Sequence, residues 1–199
     1  MLADVTGTAD HVLRNRAVWD RWASSYAGPG LRSWSAAEPT WGIWGIPEAQ
    51  AGVLPPGLED ADSIELGCGT GYVSAWLARR GARPVALDNS PGQLTTAREL
   101  QERFGLRFPL FHANAERTPF ADASFDLAIS EYGASIWCDP YAWIPEAARL
   151  LRRCGLEVED LLELRPGPGA TASHPLATIE WARQWPCEEL WKARKAGRA

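Results

Sequence analysis

The chain has 199 residues, 46% of them hydrophobic and 23% charged, with a formal net charge of -5. That is enough for one domain with a sizeable core and gives no electrostatic basis for nucleic-acid binding. Its four cysteines (Cys68, Cys138, Cys154, Cys187) stand far apart without a C-x-x-C pair; no zinc site or disulfide framework is expected, and with no signal peptide or membrane-length apolar run a cytoplasmic protein is.

Residues 9–27 read as an amphipathic helix, with Val12, Trp19, Trp22, Ala23 and Tyr26 on one face. Gly28-Pro29-Gly30 is expected to end it. Residues 31–60 carry glycine, proline and tryptophan without a regular period, and read as an irregular lid or connector. Five of the eleven tryptophans fall within the first 44 residues. Residues 1–60 are therefore expected to be a helical cap or lid, part of the same domain as residues 61–199.

Alternating strands and helices begin near Asp62. Ser63–Leu66 is a short apolar strand that runs into Gly67-Cys68-Gly69-Thr70-Gly71, and a helix-period segment follows to Gly81. Strand, glycine loop and helix bring a ligand against bare backbone at a helix N-terminus, where a Cβ would obstruct both the turn and the ligand. A dinucleotide fingerprint, G-x-G-x-x-G, would need glycine at position 72, which is Tyr72. A nicotinamide oxidoreductase is disfavoured on that ground.

Pro84–Leu87 is the second strand, ending at Asp88. Ser90 is a good N-cap and Pro91 a good first helical residue for a helix that stops at Gly105. Phe108–His112 and Phe125–Ile129 read as the third and fourth strands, and a further helix runs from Asp139-Pro140 to Gly155. The βαβαβ order predicts a mostly parallel, doubly wound α/β sheet, with helices on both faces. Ligands of such sheets bind beyond the carboxyl ends of the strands. Those ends offer Gly67, Gly69 and Gly71; then Asp88 and Asn89; then Asn114, Ala115 and Glu116; then Ser130, Glu131 and Tyr132.

Asp88 is the sharpest candidate, because a carboxylate at the second strand's end can accept both hydroxyls of a ribose. Glu65 is placed to hold an ammonium group or to brace the loop. Cys68 reads as a small filler rather than a nucleophile, with no His or cation motif beside it. His11, His112 and His174 are isolated in the sequence and read as structural or exposed.

Glu65-Leu-Gly-Cys-Gly-Thr-Gly71, Ala86-Leu-Asp88, Asn114-Ala-Glu116-x-x-Pro119-Phe120 and Ser124-Phe-Asp126-Leu127 together resemble the class I S-adenosylmethionine (SAM)-dependent methyltransferases, over about residues 60–151. The resemblance is to the small-molecule branch of that family, and the N-terminal helix shares it more weakly. It implies a Rossmann-like fold, SAM as cofactor, and methyl transfer to a small-molecule acceptor on O, N or C. It also implies that the glycine loop with Cys68 takes the methionyl part, that Asp88 with Asn89 takes the ribose, and that Asn114, Ala115 and Glu116 face the adenine. Glu65 and the Ser130 backbone would hold the amino-acid end. Asn114 stands where the family often has aspartate.

Aromatic faces suit a sulfonium cation, which makes Trp19 and Tyr26 candidates for its wall. Trp34, Trp44, Tyr132 and Trp137 are candidates for the acceptor pocket. No general base is evident.

The helix ending in Arg149-Leu-Leu-Arg152 runs directly into Arg153-Cys-Gly155-Leu-Glu-Val-Glu159, where the family would have a fifth strand. One strand–helix unit is thus expected to be missing. Leu156–Leu164 would take the fifth position parallel to the fourth strand, with the segment near Glu189 to Arg194 antiparallel beside it, and a homodimer could cover the exposed edge. The alternative function is a SAM-binding but inactive, regulatory or truncated relative.

Overall fold

The structure, a computed structural model, describes residues 9–151, 156–170, 178–185 and 188–195. The chain divides into two compact units: residues 1–35 with 58–152, and residues 36–57 with 153–199. The cap expected over residues 1–60 is shared between them. Its helix belongs to the first unit, and residues 36–57 belong with the C-terminal segment.

The first unit is built on four parallel strands, β3 (Asp62–Leu66), β4 (Arg83–Asp88), β5 (Leu110–His112) and β6 (Leu127–Ile129), in the order β5-β4-β3-β6. The order reverses at β3, so the crests of β3, β4 and β6 meet in one crevice. The strands pack through Ile64, Leu66, Leu87 and Phe125 against Ala134, Ala147 and Leu150 on one side. On the other, Cys68, Ala75, Ala86, Leu94, Leu100 and Phe108 enclose Trp34. Both faces are covered, as a parallel sheet requires.

Helix α3 (Tyr72–Arg79) follows the glycine loop. Helix α4 (Pro91–Phe104) starts and stops as its sequence dictates: the Ser90 hydroxyl accepts from Gln93 N, Pro91 opens the first turn, and Gly105 closes the helix at φ 62°. The helix expected from Asp139-Pro140 is α6 (Pro140–Leu150), which runs through Pro145, and a short helix α5 (Ala134–Trp137) precedes it. Asp139 caps α6, and residues 152–155 lie outside the described ones.

The N-terminal helix corrects the reading most. Helix α1 (Asp10–Ser35) runs through Pro29 instead of ending at Gly28. Its last turns are held by tertiary bonds that replace what proline and the helix end forfeit. Trp34 Nε1 donates to Thr70 O, Trp76 Nε1 to Ser33 O, and Arg79 Nη2 to Trp34 O. Gly30 is needed for close approach: a Cβ there would lie 2.6 Å from the Thr70 hydroxyl oxygen. It is a contact glycine, not a terminator.

In the second unit, β1 (Thr40–Trp41) and β2 (Ile46–Pro47) pair antiparallel, followed by the short helix α2 (Glu48–Ala51). Strand β7 (Leu156–Leu164) has the expected bounds, and β8 (Glu188–Lys195) pairs antiparallel with it. The two form a sheet of their own, so β7 is not a fifth parallel strand beside β6. The sequence of β7 explains why. Glu159, Asp160 and Glu163 suit a two-stranded ribbon, where Asp160 lies opposite Lys192. The Glu188 carboxylate accepts from Ile43 N, and Lys192 Nζ donates to Gly52 O. These bonds explain why residues 36–57 fold with the C-terminal strand. The remaining helix, α7, spans Ile179–Gln184.

Candidate active site

The crests of β3 and β6 cross almost in contact. Gly67 has φ 77°, and a Cβ on it would lie 2.6 Å from Ala134 N and from Gly133 Cα. A Cβ on Gly133 would in turn lie 2.7 Å from Leu66 O. No side chain larger than hydrogen fits at either position. Below this crossing, Ser130 Oγ donates to Leu66 O and accepts from Ser135 N. Above it, Tyr132 is held at φ 52°, an uncommon conformation for a bulky residue. That turn sets Glu131 and Tyr132 into the wall of a cavity of about 260 Å³.

One side of the cavity is backbone and carboxylate. Gly67, Cys68, Gly69 and Thr70 line it, with Asp88, Asn89 and Gln93 next to them and Asn114, Ala115 and Glu116 beyond. Asp88 Oδ2 accepts from Gly69 N at 2.8 Å and Oδ1 from Ser90 N at 2.7 Å. These bonds fix the carboxylate and leave further lone pairs for two ligand hydroxyls. Burial pushes the Asp88 pKa up, and the backbone donors oppose that shift. Gln93 was not anticipated as a site residue. It is buried, lines the cavity, and its Oε1 has no hydrogen-bond partner. A buried acceptor left unpaired costs about 1–3 kcal/mol, so this one marks a place for a ligand donor. Asn114 Oδ1 accepts from Glu116 N and keeps one lone pair.

The other side is aromatic. Trp19, Tyr26, Tyr132 and Trp137 line it. The Trp19 ring meets both Tyr26 and Trp137 edge-on, each at 5.1 Å. Trp137 Nε1 is a buried donor without a partner. Helix α1 is bonded over the opening: Arg16 donates twice to Asn89 Oδ1, Asn15 Nδ2 to Trp137 O, and Asn89 Nδ2 to Val12 O. His11 Nε2 lies 2.7 Å from Glu116 Oε1. Tyr72, the residue that broke the dinucleotide spacing, also lines the cavity, and its hydroxyl donates to Glu131 Oε2 at 2.5 Å.

Three expected residues lie behind the wall rather than in it. Glu65 is buried and accepts from both Ser74 N and Ser74 Oγ. Burial drives its pKa up to about 8 against the pull of those two bonds. Gly71 supplies the φ of 73° at the N-cap of α3, and Ser130 ties the crossing as described. Two tryptophans expected in an acceptor pocket are placed elsewhere. Trp34 is fully buried in the core, stacked on Phe108, and Trp44 belongs to the second unit. Burial raises the Cys68 thiol well above its usual range, which keeps it neutral and agrees with a filler. His112 Nε2 lies 3.1 Å from Asn89 O, a loop contact. His174, Cys154 and Cys187 lie outside the described residues. Among the described residues no cluster of potential metal ligands forms, and no helix is long and apolar enough to cross a membrane.

Arg16, Tyr72, Gln93 and Gly133 are among the lining residues that the sequence did not point to, whereas Glu131 was named at a strand end without a role. Tyr72, Gln93 and Gly133 sit within a few positions of a strand crest, which is the signal that could have found them.

A family model described as Methyltransferase domain matches residues 64–158. The chain is 28% identical over 137 residues to the ubiquinone biosynthesis O-methyltransferase of Ruegeria sp. (strain TM1040), covering 64% of this chain and 56% of that protein. It is 32% identical over 134 residues to the biotin biosynthesis bifunctional protein BioHC of Cellvibrio japonicus, covering 66% and 24%. The chain thus spans about half the length of the first curated relatives it matches. Among solved structures, the geranyl diphosphate C-methyltransferase of Streptomyces coelicolor, crystallised with S-adenosyl-L-homocysteine, shares the fold. Its TM-score is 0.57 at 17% identity, over 76% of this chain and 65% of that one.

Proposed function

Since the chain belongs, through residues 64–158, to the class I SAM-dependent methyltransferase family, we propose that it transfers a methyl group from SAM to a small-molecule acceptor in the cavity beneath helix α1. The observation that carries this reading is the fixed Asp88 carboxylate beside the Gly67–Thr70 backbone, with the unpaired Gln93 Oε1 next to it. A fixed carboxylate, exposed loop amides and a spare buried acceptor suit a nucleoside with a sugar diol and an amino-acid tail.

When bound, SAM supplies an activated methyl group on a sulfonium. The chain's own task is to bind, orient and exclude water. Asp88 would hold the ribose, Gly67–Thr70 the methionyl part, and Asn114, Ala115 and Glu116 the adenine. Trp19 and Tyr26 would give aromatic faces to the positive sulfur. Tyr132 and Trp137 would form the acceptor side. Glu65 acts from behind the loop, holding Ser74 and with it the first turn of α3.

The relatives' names point to different acceptors, so the acceptor is read from the cavity alone: flat, apolar and small. A cytoplasmic location fits the free thiols of Cys68 and Cys138. A homodimer would cover Ile136, Tyr141 and Ile144, which are exposed on α5 and α6; light scattering tests that. The function itself is tested by calorimetric titration with SAM and S-adenosylhomocysteine, then by product formation over phenols, amines and carboxylates. Absence of cofactor binding defeats the reading. Binding without turnover on any acceptor would favour the inactive relative.

A further inference from the structure

The parallel sheet ends at β6, and β6 does not have the sequence of an end. Inner parallel strands are apolar on both faces, whereas edge strands are protected by charge or proline. Leu127-Ala128-Ile129 carries neither, yet β3 is its only neighbour in the sheet and all three residues are half-buried. From this mismatch we infer that β6 pairs antiparallel with β6 of a second copy, about a twofold axis at Ala128, so that one sheet runs through both subunits. The inference rests on the homodimer proposed above and says how it is built.

The hydrogen bonds fix the register. Successive N–H groups of a strand point to alternate sides. Asp126 N donates to Asp62 O on the β3 side, and Phe125 N donates to Leu150 O on the other. Leu127 and Ile129 therefore direct their backbone groups outward, and among the described residues nothing bonds to them there. Leu151 meets this side of the sheet once, in an isolated parallel bridge to Phe125. With Phe125 engaged, the free outward groups are those of Leu127 and Ile129. Placing Leu127 opposite Ile129 of the second copy, and Ile129 opposite its Leu127, satisfies all of them at once. Ala128, whose N–H turns to β3, then faces its own copy as a non-hydrogen-bonded pair. That is the closer of the two antiparallel spacings, about 4.5 Å between Cα atoms.

A second copy suits this edge better than the chain's own spare strand. β7 is committed to β8 and carries Glu159, Asp160 and Glu163, which an inner position beside β6 would bury. β6 has no charge to oppose its own copy. The two helices that follow it add apolar surface: Ile136 on α5 and Ile144 on α6 are exposed, and Tyr141 on α6 is 91% exposed. A twofold partner presents the same strand and the same apolar neighbours in return, which makes the surface self-complementary. The β6 crest continues into Tyr132, so the second copy stands on the acceptor side of the cavity and not beside β4, which carries Asp88.

The test uses the full chain. Sedimentation equilibrium at about 10–100 μM should give the wild type twice the chain mass. Ala128→Cys adds a single atom at the axis, and on mild oxidation it should form a reducible covalent dimer that the wild type, with its native cysteines, does not form. Ile129→Pro removes an N–H that the β3 ladder does not use, and should weaken the dimer about 30-fold or more. Circular dichroism shows whether that variant folds; if it does not, Ala128→Cys decides alone. Three results overturn the inference: a wild type that stays a monomer at about 100 μM, a dimer in which Ala128→Cys gives no cross-link, or a folded Ile129→Pro whose dimer is as tight as the wild type's. The first also defeats the homodimer, and the other two leave it standing on α5 and α6. None of them touches the cofactor reading, which the S-adenosylhomocysteine titration decides separately.

Discussion

The two walls of the cavity are built from different materials. The wall along β3, β4 and β5 is backbone and fixed carboxylate: the Gly67 loop, Asp88 held by two amides, and the Asn114 turn. The wall along α1 and the β6 crest is side chain: Trp19, Tyr26, Glu131, Tyr132 and Trp137. A backbone wall is set by chain geometry, so it tolerates almost no substitution. A side-chain wall can be redrawn residue by residue while the sheet beneath it stays. On the proposed assignment of the two walls, cofactor recognition and acceptor choice can therefore vary separately in one small unit.

The most damaging way to probe that division is Gly67→Ala. The new Cβ would sit 2.6 Å from backbone of the β6 crest, at φ 77°. Left-handed strain and overpacking each cost about 1–3 kcal/mol, so a loss of roughly 2–6 kcal/mol is expected with no cofactor binding left. Urea unfolding and an S-adenosylhomocysteine titration measure both. A folded variant with normal affinity would mean that the crossing is not a constraint.

Glu65 lies behind the backbone wall and makes a pH-dependent prediction. Its folded pKa is near 8 against an ordinary 4.5, because burial disfavours the charged form. Between those values the folded state holds a proton that the unfolded chain has released. Stability from this group therefore falls as pH rises, by about 1.4 kcal/mol per unit across the window. Glu65→Gln stays neutral and can still accept from Ser74. Relative to the wild type it should gain stability from pH 5 to pH 8 by about that slope. Unfolding curves at both pH values check it, and parallel wild-type and variant profiles would refute it.

Asp88→Ala removes the carboxylate and leaves the amides of Gly69 and Ser90 unpaired on that side. Cofactor affinity should fall by roughly 2–4 kcal/mol, about 30- to 1000-fold. Stability should fall less, since both amides face a cavity that water can enter. Unchanged affinity in calorimetry would remove Asp88 from the site.

The backbone wall was also the legible one. Glycines, strand-end acids and the Ser90-Pro91 cap carry local conformational meaning, and each stands where its sequence put it. The side-chain wall was legible only as a surplus of aromatic residues. Periodicity cannot tell Trp19, which lines the cavity, from Trp34 on the same helix, which is core. The choice is made by partners far away in sequence: Trp137 for one, Thr70 and Phe108 for the other. The same cause hid the length of α1. Gly28-Pro29-Gly30 is a stop signal locally, and tertiary bonds to Thr70, Trp76 and Arg79 overrule it. β7 was located correctly by its period and mispaired, because nothing local says which sheet a strand joins.

The finest test of the comparison is Trp137→Phe, on the side-chain wall. The substitution deletes a buried indole N–H that has no partner, and removing an unsatisfied donor returns about 1–3 kcal/mol. It also shrinks a ring packed edge-on against Trp19, a contact worth about 0.5–1.5 kcal/mol beyond its area. The two effects oppose each other, so net stability should move by less than about 1 kcal/mol. A donor kept for structure would show its loss in the melting curve. A donor kept for a ligand shows it in binding: the loaded protein's affinity for an acceptor it methylates should drop by about 1 kcal/mol, roughly fivefold, with S-adenosylhomocysteine affinity unchanged. Were the cofactor to weaken as well, the two walls would be coupled through Trp19, and the separation between them would fail.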